Sequence, residues 1–92
     1  MAERWSRSAE IVNQRGLHAR ASAALAREAL KHDARITVSH EGQSAGAASI
    51  MDLMMLAASK GCIVEIHAEG REAMVALEAV CDLIARKFDE KE

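Results

Sequence analysis

Residues 15–31 read RGLHARASAALAREALK, and the change of character inside this stretch decides the fold. From Ala19 to Lys31 strong helix formers follow one another with no proline and one early serine, so a helix is expected to start just after His18. Upstream, Ala9 and Ile11 alternate with Ser8 and Glu10 in a short strand pattern that ends in Asn13-Gln14-Arg15-Gly16, with Gly16 as the punctuation. His18 therefore stands where a strand hands over to a helix.

Outward from this junction the pattern continues in short elements. Between Ala34 and His40, Ile36 and Val38 fall on one side and Arg35, Thr37 and Ser39 on the other, the period of a half-buried strand. Glu41-Gly42 reads as a tight turn into a weak strand around Gln43 to Ala47. Ser49 followed by Asp52 resembles a capping box, and the helix it opens is expected to run through IMDLMMLAAS to a stop at Gly61. Cys62, Val64, Ile66 and Ala68 then alternate with Ile63, Glu65, His67 and Glu69 in a further strand. Met74, Leu77, Cys81, Ile84 and Phe88 recur every three or four positions beyond Gly70, the stripe of a long amphipathic helix. The order β-α-β-β-α-β-α suits an antiparallel sheet with helices packed on one face, because elements this short cannot cover both faces. A ferredoxin-like arrangement shares much of this string.

The 92 residues are expected to form one domain with a modest, aliphatic core, since half are hydrophobic but only one tryptophan and one phenylalanine occur, with no tyrosine or proline. No apolar run approaches a membrane span, and MAERWSRSAE lacks the apolar middle of a signal peptide, so a cytoplasmic location without membrane insertion is expected. Cys62 and Cys81 form no metal or redox spacing and read as reduced residues in or near the core. Net charge is −2, yet Arg15, Arg20, Arg27, Lys31 and Arg35 face only Glu28 and Asp33 in one short stretch. Low overall basicity and scarce aromatics argue against nucleic acid. A local basic patch suggests an acidic protein partner instead.

A histidine at the N-cap or first turn of a helix lies among backbone N–H groups without helical acceptors, an anion-binding setting. The positive end of the helix dipole disfavours an imidazolium there, leaving a neutral nucleophilic nitrogen able to accept a phosphoryl group. Arg20 and the first-turn N–H groups would then stabilise the added charge. Arg20, Arg27 and Lys31, spaced by seven and four, share a narrow arc of one helix face beside His18. In the second helix Ile50, Leu53 and Leu56 can face the core, leaving Met51, Met54 and Met55 as another stripe. Adaptable methionines suit a surface used by several partners, with Ile50 and Met51 the first contact candidates. His32, His40 and His67 carry no such context and are read as structural or surface residues.

At Gly16-Leu17-His18-Ala19-Arg20-Ala21-Ser22 the sequence resembles the histidine-containing phosphocarrier protein (HPr) family of the phosphoenolpyruvate-dependent phosphotransferase system, with its nitrogen-related regulatory paralogues. The resemblance extends through Ala47-Ala48-Ser49-Ile50-Met51 and Gly61-Cys62-Ile63-Val64-Glu65-Ile66, nearly the whole chain after Ala9. It implies an open-faced β-sandwich, a four-stranded antiparallel sheet with three helices on one face. It also implies a phosphoryl carrier rather than an enzyme: His18 takes the group on its δ nitrogen from enzyme I and passes it to an enzyme IIA-type protein, in sugar uptake or a regulatory phosphorelay. Arg20 matches the family's active-site arginine. Ser49 matches the serine that HPr kinase/phosphorylase modifies in some members, where added charge near Ile50 and Met51 would disturb docking. Ala21 departs from the family's usual proline, which puts transfer rates and partner choice in question. Donor and acceptor are proteins, so no cofactor or metal is called for, and a surface used by successive partners argues for a monomer. The alternative is a ferredoxin-like regulatory domain that binds a small anion at the helix N-terminus without covalent chemistry.

Overall fold

Strand residues that alternate in hydrophobicity must bury one face, and the sheet does so on one side only. The computed structural model describes residues 3–91. Its elements are β1 (Glu3–Glu10), α1 (Ala19–Leu30), β2 (Arg35–His40), β3 (Gln43–Gly46), α2 (Ile50–Met55), β4 (Ile63–Gly70) and α3 (Ala73–Ala85), followed by a 3₁₀ turn at Lys87–Asp89. The strands are antiparallel throughout, in the order β1-β4-β2-β3. Ile36 and Val38 of β2 and Val64, Ile66 and Ala68 of β4 are buried beneath the helices, joined by Leu25, Leu53, Leu77, Val80 and Ile84. Glu65 and His67 stand on the opposite, open face, where Thr37 opposes His67 and Ser39 opposes Glu65.

Strand β1 extends five residues further back than the alternation around Ala9 suggests. Its early residues Glu3 to Ser8 are exposed, because β1 is an edge strand, so no aliphatic period marks it. Ile11 lies just beyond the strand yet continues the ladder: its N–H donates to the Cys62 carbonyl at 2.9 Å and its carbonyl accepts from Gly61 N–H at 2.8 Å.

Helix α2 stops after one and a half turns rather than running to Gly61. Ala57 turns left-handed at φ 54°, a helix-ending conformation more often taken by glycine, and Ala58 is buried. The Ala58 carbonyl accepts from Leu17 N–H at 2.9 Å, so the chain leaves the helix early in order to brace the loop that precedes α1. Ile50 is 41% exposed and does not join the core; Leu53 and Leu56 do. Likewise Phe88 is buried but lies past the end of α3, in the 3₁₀ turn, with φ 55°. The core face of α3 is carried by Ala73, Ala76, Leu77, Val80, Leu83 and Ile84, with Met74 and Cys81 at its margin.

Candidate functional site

The loop from Asn13 to His18 is fixed from below by a close approach of two backbones. Gly16 has φ 65°, and a Cβ there would meet the Ala58 carbonyl and come within 2.8 Å of Ser59 Cα, so only glycine fits. Leu17 is buried, its carbonyl accepts from the Ser22 hydroxyl at 3.2 Å, and Ser22 N–H bonds the His18 carbonyl at 2.8 Å. His18 is thereby held as the N-cap of α1 in extended conformation.

Both nitrogens of the His18 ring are engaged. Nδ1 accepts from Arg20 N–H at 3.3 Å, so a ring atom performs the capping that serine or aspartate usually provides. Nε2 lies 2.5 Å from Glu90 Oε2. Because Nδ1 is the acceptor, the ring proton belongs on Nε2, facing the carboxylate. Glu90 Oε1 in turn accepts from Asn13 Nδ2 at 3.0 Å, and the same amide nitrogen donates to the Gly16 carbonyl at 2.9 Å. Two acceptors converging on one amide nitrogen fix which way the Asn13 side chain faces. Asn13 is fully buried, and its Oδ1 has no hydrogen-bond partner among the described residues.

The His18 side chain is 22% exposed, in an open depression of about 290 Å³ that it lines together with Gln14, Arg15, Arg20, Glu90 and Lys91. Arg15, Arg20 and Lys91 thus line the same depression as His18 and Glu90 at the N-terminus of α1, a setting suited to an anionic group. A larger depression of about 470 Å³ lies on the open side of the sheet. The Arg4–Glu69 ion pair at 3.1 Å, with Arg4 83% exposed, makes that surface a solvated polar face.

Arg20, Arg27 and Lys31 are all exposed on α1. Lys31 also reaches Glu28 at 3.6 Å, so the basic face is partly compensated at its far end. On α2, Met51 is 71% exposed, with Ile50, Met54 and Met55 also in the open, which makes one uncovered apolar face. Ser49 is the N-cap of α2 and accepts from Asp52 N–H at 3.3 Å. The reciprocal half of the expected capping box is replaced, since Ser49 N–H donates to the Gly46 carbonyl at 3.0 Å.

Sequence reasoning did not reach Asn13 or Glu90. Nothing local marks Glu90, which is 72 positions from His18 and lies past the last apolar stripe. Asn13 looked like loop polarity rather than a buried donor. Cys81 is partly buried, and burial pushes its thiol up against the opposing pull of Arg7, so it is no reactive nucleophile.

The family described as the PTS HPr component phosphorylation site matches residues 5–86. This chain belongs to the HPr family. The phosphocarrier protein NPr of Shewanella violacea is 42% identical over 84 residues, covering 91% of this chain and 92% of that protein. The phosphocarrier protein HPr of Cupriavidus necator is 41% identical over 86 residues, covering 94% and 97%. Among solved structures, an HPr from Thermoanaerobacter tengcongensis superposes with a TM-score of 0.90 at 38% identity, over 96% of this chain and 99% of that one. A structure described as an HPr dimer from the same organism gives 0.75 at 41% identity, over 88% and 93%. The open-faced sheet with three helices is therefore the HPr fold, and a ferredoxin-like small-anion domain is not favoured. As in other HPr proteins, the role is that of a phosphocarrier in the phosphotransferase system.

Proposed function

We propose that the chain accepts a phosphoryl group on Nδ1 of His18 from enzyme I, charged by phosphoenolpyruvate, and passes it to an enzyme IIA-type protein. The observation that carries this reading is the position of His18 as N-cap of α1, with Nδ1 turned to the Arg20 N–H. Nδ1 holds a lone pair, and the contact occupying it is long enough, at 3.3 Å, to give way to phosphorus. As the new P–N bond forms, the bond from phosphorus to the donor breaks and its electron pair leaves with the donor. The displaced N–H and the guanidinium of Arg20 then face phosphoryl oxygens. The depression is open, so the group is stabilised without being enclosed and stays transferable.

The exposed face of Ile50, Met51 and Met54 on α2, together with the exposed Arg27 and Lys31 of α1, is the docking surface for both partners in this reading. Hydrophobic area supplies contact, and the basic residues select acidic partner surfaces. Phosphorylation of Ser49 by an HPr kinase/phosphorylase would place a dianion at the edge of that face and weaken docking. The protein acts as cargo carrier and substrate of phosphotransferases, not as an enzyme, and works in the cytoplasm as a monomer. No helix among the described residues is long and apolar enough to cross a membrane. Relatives named NPr and HPr are matched at nearly equal identity, 42% and 41%, so both a regulatory and a sugar-transport enzyme IIA are suitable acceptors to assay.

The test is incubation with phosphoenolpyruvate and enzyme I, followed by intact mass. Wild type is expected to gain one acid-labile, alkali-stable phosphoryl group, and His18→Ala none. Equal labelling of both proteins would reject the assignment. Light scattering of the purified protein should return the monomer mass.

A further inference from the structure

The tail of the chain reaches His18 by a backbone route that most sequences avoid. After α3, Lys87, Phe88 and Asp89 all adopt left-handed conformations, with φ of 60°, 55° and 60°, each unfavourable for a residue with a side chain. Burial of Phe88 and the Arg86–Asp89 ion pair at 3.0 Å hold the turn, and Asp89 and Glu90 N–H groups close it onto Arg86 and Lys87 carbonyls at 3.0 Å each. The chain emerges with the Glu90 side chain 7% exposed, against His18 Nε2 and Asn13 Nδ2.

We propose that Glu90 is a positioning residue for phosphoryl transfer, acting through the imidazole it binds; this rests on the phosphocarrier reading above. Its carboxylate accepts a hydrogen bond from Nε2–H and so keeps the lone pair on Nδ1, the nitrogen that faces the helix N-terminus. When Nδ1 attacks phosphorus, the neutral ring becomes an N-phosphoryl imidazolium that retains its Nε2 proton, and the carboxylate at 2.5 Å balances that positive charge. Asn13 sets where the carboxylate stands. It ties Glu90 to the Gly16 carbonyl, and through Gly16 to the loop that carries His18. A carboxylate behind a histidine performs the same orienting work in metal sites and acyl-transfer triads. Arg15, Arg20 and Lys91 share the depression, so the negative charge of Glu90 stands among cations, and the site holds one orienting anion beside the place where a second anion arrives.

Nitrogen-15 NMR of the His18 ring in the unphosphorylated protein reads the tautomer without any partner. Phosphorylation kinetics with enzyme I read the charge. Wild type is expected to be almost entirely Nε2-protonated, and Glu90→Ala to gain a clear Nδ1-protonated population. Its turnover as a substrate of enzyme I should fall by about tenfold or more, with KM little changed because the docking face is untouched. Glu90→Gln retains an acceptor but no charge, so it should keep the tautomer and still lose turnover, whereas Glu90→Asp should recover part of it. A Glu90→Ala protein with wild-type tautomer and turnover would overturn the proposal, as would a loss confined to KM. A tautomer shift in a protein that enzyme I leaves unlabelled even in its wild-type form would reject the phosphocarrier reading and the charge-balancing role, and leave the orienting role standing.

Discussion

Gly16 shows how one residue places the chemistry. Its left-handed backbone and the nearness of Ala58 and Ser59 leave no room for a side chain. Gly16→Ala is expected to cost about 2–4 kcal/mol in urea unfolding and to lower phosphoryl acceptance even where the protein remains folded. Ser49→Ala removes a helix cap and should cost about 1 kcal/mol, while Ser49→Asp should weaken docking to enzyme I, measured as a raised KM. The Gly16-His18-Arg20 group was legible in the sequence because a turn signal, a histidine and a helix start are local properties. Glu90 and Asn13 were not, because their roles exist only once the left-handed turn after α3 has brought the tail back to the loop.

Helix α2 has one buried face and one open face. Leu53 is fully buried while Met51 is 71% exposed, so Leu53→Ala should destabilise by about 2–5 kcal/mol. Met51→Ser should change stability by no more than about 0.5 kcal/mol and act on KM for the partners. Both are checked by pairing unfolding curves with transfer kinetics. In the last turns of α1, a hydrogen bond from His32 and the charge of Lys31 hold the Glu28 carboxyl below its ordinary 4.5, against the upward push of burial. A carboxyl that binds its proton less tightly when folded stabilises the protein above its unfolded value and loses that contribution as pH falls towards the folded one. The stability gap between wild type and Glu28→Gln should therefore narrow as pH drops through the carboxylate range. Element positions were readable wherever burial has a period, as in β2, β4 and α3. The start of β1 and the end of α2 were not, since an exposed edge strand has no apolar rhythm and the left-handed Ala57 carries no glycine to announce it.

At the scale of the molecule, the sheet carries the helices on one face, and in the proposed function the helices present the working surface. One net charge of −2 conceals a basic rim beside His18, so association with acidic partners should slow as ionic strength rises from about 0.05 to about 0.5 M, while the bound contacts of the methionine face persist. The fold as a whole was legible because its element order and the stretch around His18 both point to it; the sheet order β1-β4-β2-β3 was not, since pairing between β1 and β4 joins segments more than fifty residues apart. The central claim is that His18 receives a phosphoryl group in order to give it away. The most direct measurement is a chase: the phosphorylated protein, freed of enzyme I and phosphoenolpyruvate, is mixed with an enzyme IIA-type acceptor, and the phosphoryl group is followed on both proteins. The label should leave His18 as it appears on the acceptor, within the dead time of manual mixing and with none passed by His18→Ala. A label that stays on the chain, or an acceptor charged equally by the variant, would contradict the account.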